Sequence, residues 1–297
     1  AMAQKTLVLS FDMETDIGSW TSGVCGITEG TPEILKILRN HHVPATFLFT
    51  GREAQNNPDA VQAVLADGHE VGCHTMFHET IGVPVYDVPV GSFALESEIE
   101  GRLKLATETV EGVAGVRPVS FRAPRLFGST GMIKALEKLG YKIDSSFPCY
   151  FHARDFLPYH PSSEDWSEEG SMSILEVPVF YDLDADEHGD KNRGRDQWPM
   201  LRLKGAQWFA DLCERMSEKV KDKSGNSVLC VYLHPWEFVK MPEKVHTDES
   251  TITFKPFLYR NSGSFALEAL DEFVALAKQG GWRFETLKDT ADSFVQL

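Results

Sequence analysis

His74 and His78 stand four residues apart in the run Gly72-Cys73-His74-Thr75-Met76-Phe77-His78-Glu79, and Asp12 and Glu14 close an apolar run near the N-terminus. Imidazoles at that spacing share one face of a helical turn, because four residues is close to one turn. With one carboxylate they offer two nitrogens and one oxygen to a divalent metal, whose other positions stay open for water and substrate. Zinc is the first expectation, with cobalt, nickel, manganese and iron as alternatives. A second carboxylate beside the ligand is placed to act as a base on water. Asp12 and Glu14 project to one side of an extended chain and Met13 to the other. Two like charges held together call for a cation or a shared proton. Asp16 competes weakly for the same role, since the chain should be turning by then.

Two further stretches carry chemistry. Arg122-Ala123-Pro124-Arg125 follows Val119-Ser120-Phe121, so a strand ends in a cation fixed at the sheet rim. Arg122 can pair with a catalytic carboxylate and keep it ionised, and an ordinary salt bridge is the plainer alternative. Leu233-His234-Pro235-Trp236-Glu237 ends the most apolar strand of the second half. His234 is a candidate general acid, and Leu233 with Trp236 could wall a small apolar pocket.

Something must bring these residues together. Short apolar runs predict strands at Thr6 to Phe11, Ala45 to Phe49, Glu70 to Cys73, Val119 to Arg122, Tyr141 to Asp144, Ile174 to Phe180, Val228 to Leu233 and Trp282 to Glu285. Helical spacing falls between them: Thr31 (as N-cap, before Pro32) to Leu38, Pro58 to Ala66, Leu95 to Val113, Gly131 to Leu139, Lys204 to Val220 and Phe265 to Lys278. Repeated strand-helix units predict an α/β fold with a parallel sheet, and about seven units favour a distorted (β/α) barrel in a single domain spanning residues 1–297. Asp12, His74, Arg122, Asp144 and His234 each lie at the C-terminal end of a predicted strand, which in a parallel barrel is the active-site face. Two long irregular stretches, Phe147 to Ser173 and Asp182 to Arg195, are expected to shape a binding site.

A net charge of −15 argues against nucleic acid, which needs a basic face. The five cysteines are odd in number and widely spaced, as suits free thiols in a reducing compartment, with a thiolate ligand at Cys73 as a minor alternative to core packing. Residues 1–5 read as a disordered or tag-derived N-terminus without an apolar signal core, and no apolar stretch approaches the ~20 residues of a membrane helix. A cytoplasmic location is therefore expected.

In this light the chain resembles the polysaccharide deacetylases, the group sharing the NodB homology domain (carbohydrate esterase family four), from about Thr6 to His234. Ser10-Phe11-Asp12-Met13-Glu14 is similar to the family's Thr-Phe-Asp-Asp-Gly motif, with one residue inserted between the acids. His74-Thr75-Met76-Phe77-His78 matches His-Ser/Thr-x-x-His, while Phe121 to Arg125 and Leu233-His234-Pro235 resemble the third and fifth motifs. The resemblance implies that Asp12 is the catalytic base, that Glu14, His74 and His78 hold the metal, and that Arg122 holds Asp12. It also implies that His234 protonates the leaving amine and Leu233 lines an acetyl-methyl pocket. Arg125, Leu233, Trp236 and Asp144 are then expected to contact substrate, and either Asp144 or Asp165 to tune His234. The implied activity is metal-assisted removal of an N-acetyl group from an amino sugar or related small acetamido compound. Hydrolysis of a cyclic amide such as allantoin is the alternative within the fold, and a non-haem iron oxygenase is an alternative outside it. A small molecule or oligosaccharide is the expected partner, without nucleic acid or membrane, and homo-oligomers are compatible with the chain.

Overall fold

Eight of the nine residues of the first strand, β1 (Lys5–Met13), are buried, as a parallel strand covered on both faces requires. Alternation sorts its side chains: Leu7, Leu9, Phe11 and Met13 join the main core cluster, while Val8 joins a second cluster on the opposite face. The computed structural model describes residues 3–85, 94–152, 154–185 and 194–294. Gln4 N–H donates to Asn226 Oδ1 at 2.9 Å and Lys5 begins the strand, while residues 1 and 2 lie outside the description.

β1 is the hub of an eight-stranded parallel sheet. One of its edges pairs with β7 (Ser227–Leu233) from Lys5 to Phe11. The other pairs with the last strand, β10 (Arg283–Glu285), through Thr6–Val8 and with β2 (Thr46–Phe49) through Ser10–Met13. The order continues through β3 (Glu70–Cys73), β4 (Ser120–Phe121), β5 (Ile143–Asp144) and β6 (Leu175–Glu176), each parallel to the one before. Helices Thr31–His41, Pro58–Ala66, Ile99–Ala114, Thr130–Lys138, Ala206–Lys219 and Ser264–Gln279 bury apolar residues against this sheet, giving the expected distorted (β/α) barrel.

The distortion sits between β6 and β7. The predicted strand Ile174 to Phe180 pairs with β5 only at Leu175–Glu176 and then crosses to β7, where Val179 and Cys230 form one parallel bridge. A side-chain amide spans the gap. Gln197 Nε2 donates to Phe180 O at 3.0 Å and Cys230 O at 2.7 Å, and its Oε1 accepts from Tyr232 N–H at 3.2 Å.

Other expectations shift by a turn or more. Thr31 is helical (φ −57°, ψ −45°) and not a cap, because a wide turn at Gly26–Gly30 runs directly into the helix. Gly26 is required there: a Cβ would lie 2.3 Å from Trp236 N. The predicted helix Lys204 to Val220 is broken at Gly205 (φ 91°) into Met200–Lys204 and Ala206–Lys219. Not anticipated are the helix Gly51–Asn56, the antiparallel hairpin of β8 (Lys244–His246) and β9 (Thr251–Thr253), and helices Pro256–Tyr259 and Leu287–Ser293. Residues 186–193 of the second long loop lie outside the described chain. All five cysteines are free. Among the described residues no helix is long and apolar enough to cross a membrane.

Candidate active site

At the C-terminal ends of β1 and β3, Glu14, His74 and His78 bring one carboxylate oxygen and two ring nitrogens within 4.8 Å of one another. Glu14 Oε2 lies 2.5 Å from His78 Nε2 and 3.3 Å from His74 Nε2. The histidines do not share a helical turn, contrary to the reading of their spacing. His74 to His78 is a loop with Thr75 (φ 63°) and His78 (φ 59°) in the left-handed region, which is uncommon for such residues and marks a constrained path. Its shape is imposed by backbone bonds: His74 N–H donates to Phe49 O, and the N–H groups of Gly51 and Arg52 donate to Thr75 O and Met76 O. Curling the loop this way brings the two rings to 5.1 Å, edge to face.

The cluster is held in a ligating form. His74 Nδ1–H donates to the Arg122 carbonyl at 2.7 Å, which fixes the ring with Nε2 facing Glu14. Burial alone would raise the Glu14 carboxyl, but the charge of His78 and hydrogen bonds from His74 and His78, with His234 beyond, hold it well below its ordinary value. Burial lowers His78, against the opposing pull of Glu14, and so favours the neutral imidazole that binds metals. Cys73 takes no part: its side chain is in the main core, where burial pushes the thiol up to about 12.

Asp12, one inward position before Glu14, is fixed by Arg122. The arginine is fully buried and its guanidinium is saturated. Nη1 donates to Asp12 Oδ1 and to Ser10 Oγ, each at 2.8 Å; Nε donates to Ser145 O at 2.9 Å and Nη2 to Ser145 Oγ at 2.8 Å. Asp12 Oδ2 is left facing His234, whose Nε2 is 3.9 Å away; the same nitrogen is 3.9 Å from Glu14 Oε1.

Neither Asp144 nor Asp165 touches His234. Asp165 is exposed and accepts from Ser167, while Asp144 is fully buried beside Glu176 and accepts from Ser146 Oγ at 2.6 Å. Burial raises the carboxyls of both Asp144 and Glu176, as two acids in a dry space require. The acid that serves His234 is Glu237. The short 3-10 turn Pro235–Phe238 brings position i+3 back to position i, so Glu237 Oε2 accepts from His234 N–H at 2.9 Å and from Nδ1 at 3.1 Å. Arg202 Nε donates to the other oxygen of Glu237 at 3.0 Å, completing a buried chain of three charges. Burial opposes charge on His234, but the Glu237 hydrogen bond and the charges of Glu14, Glu237 and Asp12 outweigh it and raise its pKa. Activity that needs protonated His234 is lost as pH rises through that pKa. Glu237→Gln removes the largest raising contribution, so the alkaline limb of a kcat/KM–pH profile should move to lower pH; an unmoved limb would refute the assignment.

The chain is similar to several named proteins. Residues 1–143 match the family model for polysaccharide deacetylase. The N-terminal half of the chain is thus similar to the polysaccharide deacetylases. It is 29% identical, over 145 residues, to the peptidoglycan-N-acetylglucosamine deacetylase of Bacillus cereus, covering 49% of this chain and 58% of that one. The chain spans about half the length of the curated relatives it matches. A Mycobacterium smegmatis structure assigned to the polysaccharide deacetylases superposes with a TM-score of 0.63 at 21% identity, covering 98% of this chain and 90% of that one. An allantoinase structure superposes with a TM-score of 0.62 at 17% identity, with 98% and 90% covered. At those identities the superpositions speak for the fold.

The cluster opens into a cavity of about 580 Å³. Glu14, His78 and His234 are at its floor, and Trp236, Arg125, Trp198 and Tyr232 are in its walls. Trp236 stacks on His234 (5.2 Å, 28°) and its Nε1–H points to Glu14 Oε1 at 3.4 Å; Trp198 meets His234 edge-on at 5.1 Å. Leu233 does not reach the cavity. It alternates with Tyr232 and His234 on β7, so it points into the main core and Tyr232 takes the inward place. Asp144 does not reach it either. The outer wall is residues 252–255, 257 and 258, the stretch from β9 into the following helix. Trp198 and Asp196 went unmarked in the sequence, although an Asp-Gln-Trp-Pro run beside a long loop is the available signal.

Proposed function

We propose that this chain is a metal-dependent amide hydrolase that removes the N-acetyl group of an amino sugar or a related small acetamido compound. The supporting observation is the opposition of Asp12 and His234 across 3.9 Å beside the Glu14–His74–His78 cluster, each member held by its own partner, Arg122 or Glu237. The cluster fits a divalent transition metal: two imidazole nitrogens and a carboxylate oxygen converge, and the His74 tautomer is set by a backbone carbonyl. Zinc suits such a set first, and when bound it would polarise the amide carbonyl and lower the pKa of water.

The chain's own residues supply the proton traffic. Asp12 receives the proton of the attacking water at Oδ2, because Oδ1 is occupied by Arg122. His234 keeps Nδ1–H on Glu237 and delivers a proton from Nε2 to the departing nitrogen. Trp198 and Trp236 flank the ring and keep bulk water from it. Hydrolysis of a cyclic amide is the second reading, favoured by the walled cavity, which suits a compact ring. The parallel sheet departs from the antiparallel double sheets expected of an iron oxygenase.

The test is metal removal and return. Chelator-stripped protein should release no acetate from N-acetylglucosamine or its short oligomers. Zinc, cobalt, nickel, manganese or ferrous ion should restore release to different extents. Ring opening of allantoin or cyclic imides in place of acetate release would transfer the assignment to the second reading, and full turnover by stripped protein would end both.

A further inference from the structure

Two cations, Arg125 and Lys255, line the cavity in a chain of net charge −15. Arg125 comes from the short turn after β4 and Lys255 from the segment after β9. Neither has a carboxylate partner among the described residues. The two acids in the lining are already engaged. Glu14 belongs to the histidine cluster, and Asp196 accepts from Tyr232 OH through both oxygens at 2.8 Å and from Trp198 N–H at 3.1 Å.

Arg125 is also held in an unfavourable backbone state. Both it (φ 58°) and Leu126 (φ 61°) are left-handed, which carries a cost for residues with side chains and points to a requirement of position. The guanidinium carbon lies 5.2 Å from the centroid of the Trp20 ring, a cation–π contact that does not use up the N–H donors. A planar fork of this kind is complementary to carboxylate or phosphate oxygens. Much of the remaining lining is aromatic, including Tyr150, Phe151, Phe254 and Phe257. The volume of about 580 Å³ is that of a pocket for a compact ligand.

We infer that the substrate is a compact amide carrying an oxyanion, carboxylate or phosphate, seated between Arg125 and Lys255 while its amide reaches the floor of the cavity. This rests on the amide-hydrolase reading of the same site. It sets the chain apart from an enzyme that works along a neutral polymer.

The test uses the full chain reconstituted with zinc. Steady-state kcat/KM is compared for N-acetylmuramic acid (carboxylate), N-acetylglucosamine 6-phosphate (phosphate), neutral N-acetylglucosamine and neutral chitotriose. At least one anionic monomer should exceed both neutral compounds by roughly tenfold, the size of one charge-assisted contact. Whichever anion leads identifies the source of the charge. The preference should shrink with added salt and fall toward unity in Arg125→Gln/Lys255→Gln. A neutral trimer handled as well as both anionic monomers by the unaltered protein would overturn the inference while leaving the hydrolase reading intact. Should nothing be hydrolysed, the hydrolase reading fails, and calorimetric binding of the same four compounds decides the anion site: equal affinities overturn it, and an anion preference lost in the double variant supports it.

Discussion

Arg122→Ala should destabilise the protein by about 3–5 kcal/mol and abolish turnover, because it leaves a carboxylate buried without its counter-charge. The side chain is fully buried and joins three strand ends: Ser10 and Asp12 of β1, Ser145 just beyond β5, and Cys230 of β7, whose Sγ is 3.4 Å from Nη2. No neighbour can replace it. Arg122→Lys retains the charge but loses the fork, so it should recover part of the stability and little of the activity. Denaturant unfolding monitored by tryptophan fluorescence measures the first effect. A loss below about 1 kcal/mol for the alanine variant would show that the buried pair is not what holds the strand ends together.

Asp12→Asn is the complementary case, in which chemistry is lost and structure kept. Asparagine is isosteric and its oxygen can still accept from Arg122, but it cannot take a proton from water. Turnover should drop by roughly 10²–10⁴. Metal content should remain that of the unaltered protein, since Glu14, His74 and His78 are untouched. Atomic-emission analysis beside acetate-release rates checks both halves. Activity retained in a metal-replete asparagine variant would remove Asp12 from the role of base.

Much of the centre was legible because barrel geometry makes a strong rule out of weak signals. Asp12, His74, Arg122 and His234 could each be ordinary alone, but a parallel sheet puts the ends of their strands on one face. What failed was local. Spacing of four suggested a helical turn for His74 and His78, whereas a constrained loop with two left-handed residues does the work. Leu233 was assigned to the pocket from its neighbourhood, although alternation with His234 already directed it to the other face. Glu237 is the partner of His234 because a proline-started turn returns the third residue onward to the ring, a closure that distant acids such as Asp144 and Asp165 do not make. The outer wall had no pattern to read: β8 and β9 are three-residue exposed strands, too short for alternation to show.

The pairing of β1 also bears on how the chain acquires its shape. Its partners are drawn from residues 46–49, 227–233 and 283–285, so the first strand made is completed only by nearly the last one. During synthesis β1 must wait, with most of its edge groups unpaired, until almost the entire chain has left the ribosome. Contacts that distant in sequence place the protein among slow, high contact-order folders, for which exposed strand edges invite aggregation. Residues 1–143, which match the family model, therefore leave β1 without two of its three neighbouring strands.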